Sequence, residues 1–509
     1  MSPEALIQAP FGSVAGLVAA HARSRPDHPA VIDGQERLSY RGLDALVDRM
    51  AASLQRDGVR RGSAIAIVAK ASGHYAAIFL AALRSGGAVA PLPPSATPVQ
   101  LAAMVSDADA THLFLDEANA AALSQAIERV SAKPVLLDTD ALDAWLTPPG
   151  TRPAPAEITP ELPFNIIYSS GTTGTPKGIV QPHRMRWAHA QRGAAYGYGA
   201  DSVTLLATPL YSNTTLVSFF PTLALGGTVV LMDKFDVAGY LALAERYRAT
   251  HTMLVPVQYQ RLMADPGFGD FDLSSFTAKF CTSAPFSASL KADILARWPG
   301  KLFEFYGMTE GGGTFILAAH DHPDKLHTVG RPAAGHDIRL IDENGREVGP
   351  GEVGEVVGHS GAMMTGYHKQ PAQTAEAEWR DATGKRFIRT GDLGRFDDDG
   401  FLVLLDRRKD MIISGGFNIY PSDLEAVLRD HADVAEAAVV GVPSDRWGET
   451  PVAFVVPRLG AVPEAEALRE WANRRLGKMQ RLHAVHVVAA LPRSAIGKVL
   501  KRQLRESVR

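Results

Sequence analysis

The chain has 509 residues, too many for one hydrophobic core, so two or more domains are expected. With 46% apolar and 21% charged residues, its composition is that of ordinary folded protein and not of a disordered chain. A net charge of −3 supplies no general basic field for nucleic acid, and the single cysteine, Cys281, cannot form an internal disulfide, which fits a cytoplasmic location.

The N-terminal MSPEALIQAPFGS has no basic start followed by an apolar run, so no signal peptide is expected. The apolar stretch Tyr75–Leu83 ends at Arg84, Ser85 and Gly86-Gly87, too soon to span a bilayer, and the C-terminal ESVR matches no lipid-attachment signal. Val14–Ala22 reads as a helix that stops before Arg25-Pro26, and Ala30–Ile32 as a short strand. Leu43–Gln55 is helical in pattern, Ala64–Val68 an apolar strand, Tyr75–Leu83 again helical, and Gly86–Pro91 a strand closed by prolines. This alternation predicts an α/β fold with a largely parallel sheet. Thr147–Pro163 is a proline-rich surface connection, after which a second βα series runs through Val203–Thr208, Thr228–Met232, Thr252–Val255 and Ala278–Cys281.

From about Asp337 the texture changes to short strands separated by turns: Ile338–Ile341, Gly354–Gly358 and Gly400–Leu405. Beyond Arg407-Arg408-Lys409-Asp410 it returns to α/β, with helix Pro421–Arg429, strands Ala435–Val442 and Val452–Val456, and helix Glu464–Arg475. Pro451 and Pro457 are expected to bracket the second of those strands. The predicted organisation is therefore an α/β chain: a large N-terminal domain over 1–405 with a β-rich, barrel-like part at about 337–405, a hinge at 406–411, and a small mobile α+β domain over 412–509. Gly349-Pro350-Gly351-Glu352-Val353-Gly354 spells a dinucleotide fingerprint, but strand residues and not a helix follow it, so it reads as a turn.

The strongest chemical signal follows the run Asn165–Tyr168. Ser169-Ser170-Gly171-Thr172-Thr173-Gly174-Thr175-Pro176-Lys177-Gly178 combines glycines that let backbone N–H groups converge with five hydroxyls and one ammonium. Such a loop suits the β- and γ-phosphates of a nucleotide. It is not a Walker loop, because Pro176 stands where the last glycine belongs and Gly178 follows the lysine. A hairpin tip also favours Gly and Thr, but needs only two to five residues.

The loop does not stand alone. Tyr306-Gly307-Met308-Thr309-Glu310, Arg389-Thr390-Gly391-Asp392, Asp406–Ile412, Ser414–Pro421, Pro492 and Gly497-Lys498 follow it in order. With this series the chain resembles the acyl-adenylate-forming enzymes: acyl- and aryl-CoA ligases, adenylation domains of peptide synthetases, and luciferases. The resemblance covers nearly the whole chain and implies ATP, Mg²⁺ and coenzyme A as small-molecule partners of a carboxylic acid, with no nucleic acid and with monomer or homodimer left open.

What the resemblance implies, residue by residue, is as follows. Ser169–Thr175 and Lys177 hold the phosphates. A carboxylate beside a triphosphate repels it unless a cation intervenes, so Glu310 is expected to hold Mg²⁺, with Thr173 a second contact. Ser283-Ala284-Pro285 and Phe305-Tyr306 sandwich the adenine, with Gly307 and Thr309 also among the nucleotide contacts, although the family has glycine where Ser283 stands. Asp392 accepts from the ribose hydroxyls and Arg407 is a second ribose or phosphate contact. Lys498 bridges the substrate carboxylate and the α-phosphate as charge moves between them. Lys409 is the pivot between two poses of the C-terminal domain. Gly415 and Gly416 line the thiol path, where glycines let a chain pass close to backbone, with Trp447 and Arg481 toward CoA. The family's lysine-rich Lys-x-Pro stretch reads Lys478-Met479-Gln480 here.

The acyl pocket is expected around Tyr211, Ser212, Asn213, Val255, Gly311 and Gly312. Ser212 replaces the family's histidine, and the glycines after Glu310 are expected to leave space there. Largely apolar surroundings favour an aryl, alicyclic or medium-chain acid. Phe220-Pro221-Thr222 lacks the aspartate with which amino-acid-activating relatives hold an ammonium group. Three readings follow: a CoA ligase foremost, an acyl-AMP ligase that loads a separate carrier protein, and a non-catalytic ligand-binding relative, against which Glu310, Asp392 and Lys498 count.

Overall fold

Ala64–Val68 contains no polar side chain, and the structure buries all five residues inside a sheet. A strand covered on both faces needs such an uninterrupted apolar run. The structure, a computed structural model, describes residues 1–34, 36–137, 140–169, 177–414, 417–444, 446–477, 480–494 and 497–508, and of Gln125, Ala126, Ser169, Phe417 and Asn418 the backbone alone. The chain is mixed α/β and divides into two units. The first comprises Met1–Leu326, Pro332–Asp337 and Gly358–Ile388; the second comprises His327–Arg331, Ile338–Val357 and Arg389–Arg509.

The strands of the first unit are β1 (Pro29–Asp33), β2 (Glu36–Ser39), β3 (Ala64–Val68), β4 (Ala88–Pro91), β5 (Ala110–Leu115), β6 (Lys133–Leu136), β7 (Pro163–Ser169), β8 (Lys177–Pro182), β9 (Val203–Leu206), β10 (Thr228–Leu231), β11 (His251–Leu254), β12 (Ala278–Cys281), β13 (Lys301–Gly307) and β14 (Thr314–Ala318). One sheet runs β6-β5-β3-β4-β7-β8 with Gly366–Tyr367 beyond β8. It is parallel from β6 to β7 and turns antiparallel at the β7–β8 pair. The other runs β14-β13-β12-β11-β9-β10-β1-β2, parallel between β13 and β1. The helix Gly73–Arg84 is buried on all sides except at His74 and Arg84 near its two ends, and between them its sequence is correspondingly apolar all round. Parallel sheets place their ligand crevice beyond the carboxyl ends of the strands. Beyond β12 stands Ser283, and the carboxyl end of β13 itself carries Tyr306 and Gly307.

Two buried lysines brace β12 and β13. Lys279 on β12 is fully buried and donates to the carbonyls of Trp298, Pro299 and Gly300 at 3.0, 2.6 and 2.7 Å, closing the end of helix Ala288–Arg297. Burial pushes its pKa down to about 7. Lys291, on that same helix, forms a buried ion pair with Glu304 on β13 and donates to the Leu326 carbonyl at 2.7 Å.

In the second unit, Asp392–Phe396 pairs antiparallel with Leu402–Arg407, with a bulge between Leu393 and Gly394. Beyond it, Val434–Ser444 and Gly448–Pro457 form a long hairpin, joined by Ile412–Ser414, Phe417–Ile419 and, in parallel, Ala484–Val487. Helices Pro421–Arg429 and Ala465–Asn473 contribute Leu424, Leu428, Leu468 and Ala472 to the core against Val439, Ala453 and Val455. Pro451 does not bracket a strand: it lies within one, opposite Gly441, where its carbonyl accepts from His483 N–H at 2.8 Å. The segment 349–353 forms no helix before the strand Gly354–His359, as its sequence predicts.

Replacing Glu304 by alanine leaves the Lys291 ammonium buried without its counter-charge. Breaking such a pair costs about 3–5 kcal/mol, so Glu304→Ala should unfold at distinctly lower urea concentration than wild type. A midpoint shift equivalent to less than about 1 kcal/mol would mean that the pair contributes no more than a surface one.

Candidate active site

β7 and β8 close on each other at Ser169 opposite Lys177, so the glycine-threonine loop is the connection between two antiparallel strands. Ser170, Gly171, Thr172, Thr173, Gly174 and Thr175 lie outside the described residues, as does the side chain of Ser169. The lysine at the loop's end is described: Lys177 Nζ lies 5.1 Å from the ring centroid of Tyr367. The Tyr367 hydroxyl donates to Glu310 Oε1 at 2.8 Å, and the Glu310 carbonyl accepts from Met364 N–H at 2.8 Å. Burial, then the adjacent carboxylate, pushes the Tyr367 phenol well above its ordinary pKa, so it stays a donor. Glu310 is therefore linked through Tyr367 to Lys177, with one carboxylate oxygen held by a tyrosine that the motifs do not flag.

A second group unmarked in the motifs lies behind it. Arg186 is fully buried and donates to Asn165 Oδ1 at 3.1 Å, to Asn213 Oδ1 at 2.8 Å and to Gln181 Oε1. Burial lowers its pKa to about 9, which keeps it charged at neutral pH. Gln181 Nε2 donates in turn to the Thr309 carbonyl at 2.6 Å. One guanidinium thus joins β7, β8, the helix that begins at Asn213, and the residue before Glu310. The signal in the sequence is Arg186 and Asn165 at positions whose neighbours are apolar, but nothing local pairs them.

Ser212 is buried and caps the helix Asn213–Ala224, accepting from Thr214 N–H at 3.3 Å. Tyr211 is half-buried, and Val255 is buried at the start of helix Pro256–Met263. Ser283 adopts φ +83, the left-handed region where glycine is at ease, and its hydroxyl pairs with Thr214 Oγ1 at 2.5 Å. Ala284 is half-buried and Pro285 exposed; Phe305 and Tyr306 are half-buried and Gly307 is exposed.

The glycines after Glu310 are not there to open space. Gly311 and Gly312 have φ +76 and +86. A Cβ on Gly311 would lie 2.0 Å from the Ala362 carbonyl oxygen, and one on Gly312 would lie 2.6 Å from the Gly358 oxygen. These positions are glycine because backbone crosses backbone there, so Gly312→Leu cannot be read as filling a free pocket.

In the second unit, Asp392 faces Arg407 across the strand pair, carboxylate to Nε at 3.1 Å. The Asp392 N–H donates to Thr390 Oγ1 at 3.0 Å, and Gly391 takes φ +71 to make the turn. Lys498, more than a hundred residues away in sequence, is half-buried within electrostatic reach of this pair. Desolvation first, then the Arg407 guanidinium, bring its pKa down to about 8, while Asp392 and Asp410 pull the other way. Lys409 is exposed in the turn after Leu402–Arg407, and Asp410 is bound to Arg505 at 2.8 Å. Gly415 and Gly416 lie outside the described residues, but Ser414 pairs with Gly448, next to Trp447. Ile413 and Trp447 are 52% and 42% exposed, unusual for large apolar side chains. Arg481 is exposed two residues before His483, whose N–H meets Pro451.

The chain matches the family model of AMP-binding enzymes over residues 18–368 and that of the AMP-binding enzyme C-terminal domain over 423–498. It belongs to this family, and its class is AMP-forming acid–thiol ligase, as the resemblance implies. It is 31% identical over 499 residues to a fatty acid–[acyl-carrier-protein] ligase, ScoC, of Streptomyces coeruleorubidus, covering 96% of this chain and 94% of that one. It is 33% identical over 494 residues to a feruloyl-CoA synthase of Amycolatopsis, covering 95% and 96%. ATP-bound MatB of Rhodopseudomonas palustris superposes with a TM-score of 0.87 at 29% identity, over 97% of this chain and 98% of that one. The expected α/β architecture, with a large N-terminal and a small C-terminal domain, holds.

Substitutions at two positions test the backbone readings. Ser283→Gly should be more stable than Ser283→Ala by about 1 kcal/mol, since both lose the Thr214 bond and only alanine keeps the left-handed strain. Gly312→Ala should cost about 1–3 kcal/mol through overpacking. Both are read from urea midpoints, and equal midpoints for the two Ser283 variants would refute the strain.

Proposed function

We propose that the protein is an ATP- and Mg²⁺-dependent carboxylic acid–CoA ligase acting on a hydrophobic aryl, alicyclic or medium-chain acid in the cytoplasm. The observation that carries this reading is the patch of Lys498, Arg407 and Asp392: two cations and a carboxylate drawn from three separated segments, with the lysine's pKa near 8. A cationic cluster suits the negative charge that develops as a carboxylate oxygen attacks an α-phosphorus and pyrophosphate leaves. Asp392, nearly buried yet hydrogen-bonding, suits a pair of ribose hydroxyls. Each unit has side chains that suit ATP: Lys177 at the end of the phosphate-loop sequence in the first, and Lys498, Arg407 and Asp392 in the second.

Mg²⁺ would be held by Glu310, whose carboxylate keeps an oxygen beyond the one bound by Tyr367, and by Thr173. Magnesium takes one or two protein oxygens and fills its shell with phosphate and water, so it needs no cluster of protein ligands. Among the described residues no group of three acidic, histidine or cysteine side chains forms one. In the second half-reaction the thiol attacks the acyl carbon and AMP leaves. Trp447 and Ile413, both exposed, suit a pantetheine chain, with Gly415 and Gly416 proposed for the thiol path and Arg481 for the CoA phosphates. Tyr211, Ser212, Asn213 and Val255 would line the acyl pocket, with backbone at Gly311-Gly312 closing it. Among the described residues no helix is long and apolar enough to cross a membrane. A second reading, transfer to a carrier protein, has support in the likeness to ScoC. AMP release measured with no acceptor, with CoA and with a carrier protein decides between them; AMP release that CoA does not stimulate would sink the CoA reading.

Lys498→Ala should lower adenylation about 100–1,000-fold while sparing thioester formation from pre-made acyl-adenylate. Because the ammonium form is the working one and its pKa is about 8, kcat/KM for ATP should fall as pH rises through that value. The alanine variant should lose that limb of the profile. Lys409→Pro restricts φ at the proposed hinge, so acyl-adenylate should form normally and then accumulate. A normal thioester rate in that variant would exclude Lys409 as the pivot.

A further inference from the structure

Asp109 and Lys369 both adopt the left-handed backbone that favours glycine, at φ +50 and +54, and their side chains meet. Lys369 Nζ lies 2.8 Å from Asp109 Oδ1 and donates to the Asp107 carbonyl at 2.7 Å. A short polar side chain makes this conformation tolerable for aspartate, but lysine has no such relief. The ion pair does not offset the strain, because the two side chains are 46% and 71% exposed and a screened surface pair contributes little. A residue held in strain by the structure around it points to a role other than stability.

What Lys369 fixes is visible in its neighbours. The segment before it runs beside β8: Thr365 N–H donates to the Val180 carbonyl at 2.9 Å, Gly366 and Tyr367 pair with Val180 and Ile179, and His368 N–H donates to the Gly178 carbonyl at 2.7 Å. Tyr367 is the residue that holds Glu310 and lies against Lys177. The same corner also holds β7, since the Tyr168 hydroxyl donates to Asp107 Oδ2 at 2.6 Å. Tyr168 stands opposite Gly178, next to the Ser169–Lys177 pair. A Cβ on Gly178 would lie 2.9 Å from the Ile166 side chain and 3.2 Å from both the Tyr168 ring and His368 Cβ. Glycine follows Lys177 because β7 and the segment at His368 close over it from both sides. Asp107 ends the helix Pro98–Asp107, which has no basic residue in its own last turn, so the Lys369 ammonium also meets the negative end of that helix.

Resting on the ligase assignment above, we propose that Asp107, Asp109 and Lys369 are positioning residues for the nucleotide, one corner that ties down both flanks of the phosphate-loop sequence. Asp107 sets Tyr168, one residue before Ser169. Lys369, with Asp109, sets the segment that carries Tyr367, and through it Lys177 and Glu310. The three act through these tyrosines and not on the reacting atoms. Their effect falls on ATP affinity, because groups that must converge on one phosphate chain bind it less tightly when they have first to be ordered.

The test is the dissociation constant for MgATP, measured by calorimetry with no acid present, beside the urea midpoint of the free enzyme. Lys369→Gly removes the anchor and puts a residue suited to φ +54 in its place. Its midpoint should equal or exceed that of wild type, while the dissociation constant rises about 3–10-fold, the scale of one hydrogen bond. Tyr168→Phe deletes only the hydroxyl on Asp107 and should raise the constant on the same scale. Lys369→Arg keeps the charge and should bind MgATP nearly as wild type does. In turnover, KM for ATP should rise in the two weakened variants while KM for the acid stays unchanged. A dissociation constant unmoved in Lys369→Gly or in Tyr168→Phe would overturn the proposal. So would an arginine variant as weak as the glycine one, or a glycine variant that loses affinity only together with a lower midpoint, which is the mark of a merely structural residue. Wild type that binds MgATP but releases no AMP with any acid would bring down the ligase reading and leave the binding constants to decide this one. Wild type that does not bind MgATP would bring both down.

Discussion

Arg186 is a full positive charge that, among the described residues, is buried without a carboxylate partner, and three amide side chains of the first unit are arranged around it to accept its hydrogen bonds. Its guanidinium draws together Asn165 on β7, Gln181 on β8 and Asn213 at the head of a helix. Through Gln181 it also fixes the carbonyl of Thr309. A buried charge tolerates little displacement of its partners, because each lost bond leaves a desolvated donor. The two strands that carry the phosphate-loop sequence, the acyl-pocket motif and the YGMTE segment are thereby held in one arrangement. Lys291 and Glu304 act in the same way one layer further back, on the strand that ends in Tyr306 and Gly307.

Backbone constraints complete the frame. Gly311 and Gly312 are left-handed, and their missing side chains let this loop cross residues 358–362 at a distance no Cβ would allow. Ser283 meets a similar demand with a side chain present, and its hydroxyl bond to Thr214 offsets part of the strain. These positions explain why the segment beside Glu310 is glycine-rich without appeal to substrate size.

Each unit carries its own set of charged groups. The first carries Lys177 and Glu310 linked through Tyr367, and Arg192 beside His336. The second carries Lys498 and Arg407 around Asp392. Lys498 is depressed enough to titrate near physiological pH, a property that no local feature of Gly497-Lys498 signals. It arises because the packed chain desolvates the ammonium and, second to that, sets the Arg407 guanidinium within reach of it.

By itself the sequence determined the α/β class, the order of the strands along the chain, and the family. Continuous apolar runs such as Ala64–Val68 can only be buried strands, and the motif series from Ser169 to Lys498 is too long and too ordered to be accidental. It also marked Glu310, Asp392, Arg407 and Lys498, residues whose chemistry is visible in their type and motif. What it could not contain were relations between distant segments. Tyr367 meets Glu310 from 57 residues away, Arg192 meets His336 from 144, and Arg186 meets Asn165 across a β-hairpin. It also misjudged Pro451 as a strand end and Gly312 as open space, because proline tolerance and a glycine's necessity depend on which backbone group lies opposite. Side-chain type is local information, whereas hydrogen-bond partnership, burial and pKa are properties of the packed chain, and only the tertiary structure decides them.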